Sequence, residues 1–199
     1  MTPRPQSKPK ASRDVVTAEA LRAWRRTYST APLPDLFVLA VRGYYRDLMG
    51  RKGLNDVGMY DDAIFIVSPP LGAMTSWNGN TDPSRYGVNK NAEGKCMARL
   101  KTGCWKMISR MHRGKYQAFG QGEFPVTVER IAADGSIAQT ETGRFGIDLH
   151  LGGDNGTSSE GCQTVPPEQW EDFRKTLNAA LHLHHASFFH YLLIDGPIA

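Results

Sequence analysis

Apolar residues recur at helical spacing in two stretches of this chain; elsewhere they form short alternating or continuous runs. After Thr17, which can cap a helix, residues 18–28 (AEALRAWRRTY) put Leu21, Trp24 and Tyr28 on one face. The prolines of residues 31–34 (APLP) end that helix, because a residue before proline avoids helical geometry. Residues 167–181 (PEQWEDFRKTLNAAL) predict a second, amphipathic helix with Trp170, Phe173, Leu177 and Leu181 inward, and Pro166 and Pro167 suit its start. Residues 36–45 (LFVLAVRGYY) predict a buried strand; a helix running on to Met49 is the competing assignment. Residues 61–70 (DDAIFIVSPP) predict another strand, and residues 71–84 a third that runs into a loop punctuated by Asn78-Gly79 and Asp82-Pro83. Residues 84–99 read as irregular. The rest is β-like: TGCWKMIS, KYQAFG, FPVTVERI, GRFGIDLHL and SFFHYLLID, with Asp134-Gly135 as a hairpin turn. The expected fold is mainly β (α+β), sandwich-like or barrel-like, with a few peripheral helices.

Composition adds bounds. The 199 residues, 40% hydrophobic and 22% charged, fit one globular domain with a core of its own. Residues 1–13 are Pro-, Lys- and Ser-rich and read as a disordered basic tail, leaving residues 14–199 as the domain. The formal charge of +4 sits mostly near the N-terminus, where Arg4, Lys8, Lys10, Arg13, Arg22, Arg25 and Arg26 oppose only Asp14 and Glu19. Such a tail suits either loose contact with an anionic polymer or plain solvation. Nucleic-acid binding is disfavoured, since aromatic and basic residues do not interleave in a recognisable module. No signal peptide and no bilayer-length apolar run are seen, so synthesis in the cytoplasm without a membrane span is expected. Cys96, Cys104 and Cys162 make an odd set, which allows one disulfide at most and leaves a free thiol.

The chemistry concentrates in HLGGDNGTSSEGCQT, residues 150–164. Alternation in GRFGIDLHL sets Phe145, Ile147 and Leu149 on one strand face, and Gly146, Asp148 and His150 on the other. The glycines after His150 suit a tight reversal with positive φ, which returns Cys162 towards His150. A thiol needs a base or cation nearby to act as a nucleophile at neutral pH, and His150 is placed to supply one. Gly161 suits a tight backbone that aims N–H groups at an oxyanion, and Ser159 can bond within the turn. Cys162 as a small core residue is the plain alternative. Asp148 either orients the imidazole as the third member of a triad or is simply solvated or paired. His112, with Arg113 and Lys115, either binds a substrate carboxylate or belongs to a surface loop.

His150 followed by Ser159-Glu160-Gly161-Cys162 resembles the active-site signature of L,D-transpeptidases of the YkuD type, and ETGRFGIDLH resembles the strand leading to that family's His. The likeness spans residues 140–165. It implies Cys162 as nucleophile, His150 as base, a backbone carbonyl orienting the imidazole, and an oxyanion hole around Gly161 and Cys162. The implied substrate is the peptidoglycan stem peptide, and no cofactor is required. Three features depart from the family: a shorter His-to-Cys loop, Glu160 in place of a second His, and Gln163 where an Asn- or Arg-containing stretch follows. Gln163 is assigned to substrate binding with His112. RGYYRDLMG, YDDAIF, NGNTDPS, LKTGCW and GCQTVPPEQW also resemble proteins encoded by phages and prophages. That tilts the expectation to hydrolysis, by a lysin or delivered toxin that reaches the wall after release. L,D-transpeptidation is the alternative, and a non-catalytic wall-binding or phage structural module is a further one. A zinc site built on His182, His184 and His185 with Asp148 or His150 is the rival chemistry.

Overall fold

The computed structural model describes residues 9–89 and 94–198. Among the described residues eleven strands and two α-helices follow one another: α1 (Arg13–Tyr28), β1 (Phe37–Arg42), β2 (Asp62–Ser68), β3 (Ala73–Gly79), β4 (Met97–Leu100), β5 (Gly103–His112), β6 (Tyr116–Gly120), β7 (Val126–Ile131), β8 (Ile137–Gly143), β9 (Asp148–Leu151), β10 (Gln163–Val165), α2 (Pro167–Leu183) and β11 (Phe189–Asp195). Eight strands form one sheet in the order β10-β9-β6-β5-β11-β1-β2-β3, and β4-β7-β8 form a second. The large sheet nearly closes on itself. Asn80, just past β3, and Thr164 of β10 exchange two backbone hydrogen bonds at 2.8 and 2.9 Å. The mainly β, barrel-like expectation is met.

The apolar pattern explains the layers. β1 and β2 are buried on both faces, as nearly continuous apolar runs predict for central strands. One face of β1, with Val38 and Ala40, joins the main core with Trp77, Phe119 and Leu149. There Trp170, Phe173, Leu177 and Leu181 of α2 cover it, the four positions their spacing predicted. The other face, with Phe37, Leu39 and Val41, is covered by Val16, Ala20, Ala23 and Trp24 of α1. Among the described residues no helix is long and apolar enough to cross a membrane.

Local expectations shift in three places. α1 begins at Arg13, and Ser12 rather than Thr17 caps it, accepting from the Val15 N–H at 3.4 Å. The N–H groups of Lys10 and Ala11 donate to the Tyr44 hydroxyl, so the ordered chain starts before residue 14; residues 1–8 of the expected tail lie outside the described residues. The stretch read as irregular contains β4, which finds its partner in β7 with Arg99 opposite Glu129. GRFGIDLHL is not one strand: β8 ends at Gly143, Gly146 adopts φ 71°, and pairing resumes at Asp148.

Asp61 and Asp62 lie buried at the start of β2. Asp62 accepts N–H bonds from Gly43 and Thr81, each at 2.5 Å, whereas Asp61 accepts one from Asp56 and has its second oxygen unpartnered. Burial raises both carboxyl pKa values, and the charge of Asp62 pushes Asp61 further up. A raised folded-state pKa means the native state holds the proton more tightly. Its contribution is present below the ordinary carboxylate range and is lost as pH rises through the folded value. Asp61→Asn is therefore expected to raise the melting temperature at pH 8, by an amount that shrinks towards pH 5 in a calorimetric pH series.

Candidate active site

Both sheets wall a cavity of about 460 Å³ that is lined by Cys162, His150, Asp148, His112 and Gly161, with Ala98 and Arg130 from the smaller sheet. Strand geometry delivers the groups. Alternation in β9 sends Leu149 into the core and puts Asp148 and His150 on the opposite face. β10 pairs parallel with β9, Gln163 opposite Leu149, which sets Cys162 alongside Asp148. The Asp148 N–H donates to Cys162 Sγ at 3.4 Å, and the thiol donates to the Gly146 carbonyl at 3.7 Å.

The turn into Cys162 is tied down. Ser159 Oγ donates to the Cys162 carbonyl at 2.6 Å and accepts the Gly161 N–H at 3.0 Å. Ser84 clamps Ser159 through two further bonds, at 2.7 and 2.8 Å. Gly161 has φ 146°, and a Cβ there would stand 2.7 Å from the Ala98 carbonyl oxygen. Of the two N–H groups expected to hold an oxyanion, that of Gly161 is thus already engaged. The reversal after His150 meets the positive-φ expectation at Gly156, with φ 152°, but not at Gly152 and Gly153, whose missing side chains make room for the Tyr60 hydroxyl and Ser158.

His150 is 4% exposed. Its Nδ1 lies 2.6 Å from the Leu151 carbonyl and 3.2 Å from the Tyr116 hydroxyl. With the Nδ1 proton on the carbonyl, Nε2 is left as the acceptor. Burial, and then the charge of His112, hold the His150 pKa down to about 4, so the ring is neutral at neutral pH. Cys162 as a residue is only partly buried, yet its thiol is enclosed enough for burial to push it up to about 12. The charge of Asp148 adds to that rise, while its N–H bond, Arg113 and Arg110 oppose it. The resting pair is therefore thiol and neutral imidazole, and no hydrogen bond joins them among the described residues. Proton transfer has to accompany attack, after rotation of the thiol away from Gly146.

Asp148 does not orient His150. Its Oδ2 bonds His112 Nδ1 at 2.8 Å, and its Oδ1 lies 3.4 Å from Arg110 Nη1. His112 is no loop residue either: it ends β5, its side chain is 12% exposed, and its ring stacks on His150 with centroids 4.1 Å apart at 23°. The strand between makes this possible. On β6, Ala118 stands opposite Arg110 and Gly120 opposite Asp148, so no bulky side chain blocks the way from β5 to β9. A Cβ at Gly120 would overlap the Asp148 carboxylate.

No protein-family model matches the chain, and no curated protein matches it. The reading rests on this geometry.

The remaining candidates fall elsewhere. Gln163 is fully buried: it accepts from the Tyr191 hydroxyl at 3.0 Å and donates to the Gly161 carbonyl at 3.3 Å, so it braces the turn from inside and does not face the cavity. His184 bonds the Ser68 hydroxyl at 2.8 Å, and the His182 and His185 rings stand 6.4 Å apart at the end of α2. Among the described residues no group of three or more His, Cys, Asp or Glu is arranged to hold a metal ion. All three thiols are free; Cys104 donates to the Ala23 carbonyl of α1 at 3.5 Å. Arg110 and Tyr116 are site residues that the sequence reading passed over.

Proposed function

We propose that this protein is a cysteine-dependent acyl-transfer enzyme acting on peptidoglycan stem peptides, with water as the acceptor. The observation that carries the reading is one cavity walled by both Cys162 and His150, with the imidazole tautomer set by the Leu151 carbonyl. This is the kind of orienting group the L,D-transpeptidase resemblance implies. Cys162 loses its proton to His150 Nε2 as sulfur attacks the carbonyl carbon. The oxyanion falls to the Cys162 N–H, since the Gly161 N–H is engaged by Ser159; one such donor is worth about 10²–10³ in rate. The amine leaves protonated, and water then resolves the thioester. Arg110, Arg113 and Arg130 line the same cavity, each beside a carboxylate of the chain (Asp148, Glu160 and Glu141), so a stem-peptide carboxylate would bind by joining or exchanging with one of these pairs. An enzyme of this kind meets its substrate at the wall, after release or delivery.

The test is incubation of the protein, with Cys162→Ala beside it, with meso-diaminopimelate muropeptides and product analysis by mass spectrometry. A shortened stem or a split cross-link, absent in the variant, is the expected result. New cross-links or exchanged D-amino acids would make the acceptor an amine. No change in either sample would remove the reading of catalysis on peptidoglycan and favour a wall-binding module or a substrate outside the wall.

A further inference from the structure

Two imidazoles share the cavity, and the mechanism above uses one. His112 and His150 stack at 4.1 Å, each with Nδ1 tied down: His150 to a neutral carbonyl, His112 to the Asp148 carboxylate. The two anchors differ in charge, so the rings differ in what they can carry. An imidazolium is balanced on His112 by Asp148 and is unbalanced on His150. We propose that His112 is a second catalytic imidazole: it protonates the leaving amine and then deprotonates the incoming water, while His150 exchanges its proton only with Cys162.

The inference rests on Cys162 being the nucleophile, and it closes as a proton cycle. The cycle starts with the imidazolium on His112, 2.8 Å from the Asp148 carboxylate, and with His150 neutral. The S–C bond forms as the thiol proton passes to His150. Both rings are then charged, face to face, and this like-charge repulsion makes the His112 proton more acidic at the moment the amine needs one. The C–N bond breaks as that proton moves to nitrogen. Neutral His112 next takes a proton from water as oxygen attacks the thioester. The C–S bond breaks, and the thiolate recovers its proton from His150. The charged and titratable neighbours are Arg110 on β5, Tyr116 on β6, Arg130 on β7, Asp148 on β9, and Arg113 and Glu160 on the loops. Arg110 shares Asp148 with His112, and Tyr116 shares Nδ1 of His150 with the Leu151 carbonyl.

p-Nitrophenyl acetate separates the two roles, because nitrophenolate leaves without a proton. The wild type is expected to give a burst of nitrophenolate and then steady turnover. His112→Gln is expected to keep the burst within about threefold and to lose steady turnover by about 10²-fold, with the acetyl group persisting on Cys162 in intact-mass spectra. Free imidazole should restore turnover in His112→Ala, which a purely structural role for the ring would not allow. Asp148→Asn should slow turnover in the same direction. Steady turnover within threefold of wild type in His112→Gln would overturn the proposal, and so would loss of the burst itself in folded His112→Gln. A wild type with no burst would overturn the nucleophile assignment, and this inference with it.

Discussion

Cys162→Ala is expected to lose turnover by at least about a thousandfold while its melting temperature stays within about 2 °C of wild type. The asymmetry follows from what the sulfur touches. It accepts one N–H at 3.4 Å and donates one long bond at 3.7 Å, so its removal leaves little unsatisfied. The chemistry, by contrast, has no substitute, because no second thiol lines the cavity. Cys104 packs against α1, and Cys104→Ser and Cys96→Ser are expected to retain most activity. A large loss in either would mean that another thiol is the nucleophile. His150→Ala should also lose activity, by about 10²–10⁴-fold, but it will not be silent in stability. It strips the Leu151 carbonyl and the Tyr116 hydroxyl of a buried partner, at a cost of about 1–3 kcal/mol. Steady-state rates and thermal melts on the same preparations check both statements.

Gly161→Ala is expected to damage both stability and activity although it adds a single methyl group. The backbone there sits at φ 146°, and the new Cβ would meet the Ala98 carbonyl oxygen at 2.7 Å. Strain of this kind costs about 1–3 kcal/mol. β4 cannot easily retreat, because Ala98 is held in register against Arg130 of β7. The turn must yield instead, and with it the bonds from Ser159 that fix Cys162. A shift of the nucleophile by about 1 Å is enough to cost about 10²-fold in rate. The expected pattern is a lower urea midpoint with a slower acylation burst. An unchanged midpoint with full activity would show that the turn is not set by this contact.

Much of the fold was legible because the deciding patterns are local. The four inward residues of α2 follow from 3.6-residue periodicity, and β1 and β2 follow from short, nearly continuous apolar runs. The Cys162–His150 segment was legible for the same reason: both ends of the loop lie in one short stretch. What failed was what depends on strand order. The pairing of His112 with Asp148 needs β6 between β5 and β9, and no window of sequence contains that neighbourhood. A signal existed all the same. Ile108, Arg110 and His112 alternate on one face of β5, and Tyr116, Ala118 and Gly120 on the matching face of β6, where the small residues mark a crossing point. Gln163 was misread against a local rule. Next to Cys162 in extended chain, it points to the opposite side, and that side is the core. The expected start of α1 falls late because Ser12 and Thr17 are both favoured cap types; Ser is the better of the two, and burial of Val16 beneath the helix goes with the earlier cap.

The central claim is that Cys162 forms a covalent acyl-enzyme with a stem peptide. The most direct measurement is acid quenching of the protein within the first turnovers on meso-diaminopimelate muropeptides, followed by intact-mass and peptide mass spectrometry. The account predicts an acyl adduct on the peptide carrying Cys162, formed faster than it decays and absent in Cys162→Ala. Product formation without any adduct on Cys162, or an adduct that persists in Cys162→Ala, would contradict it.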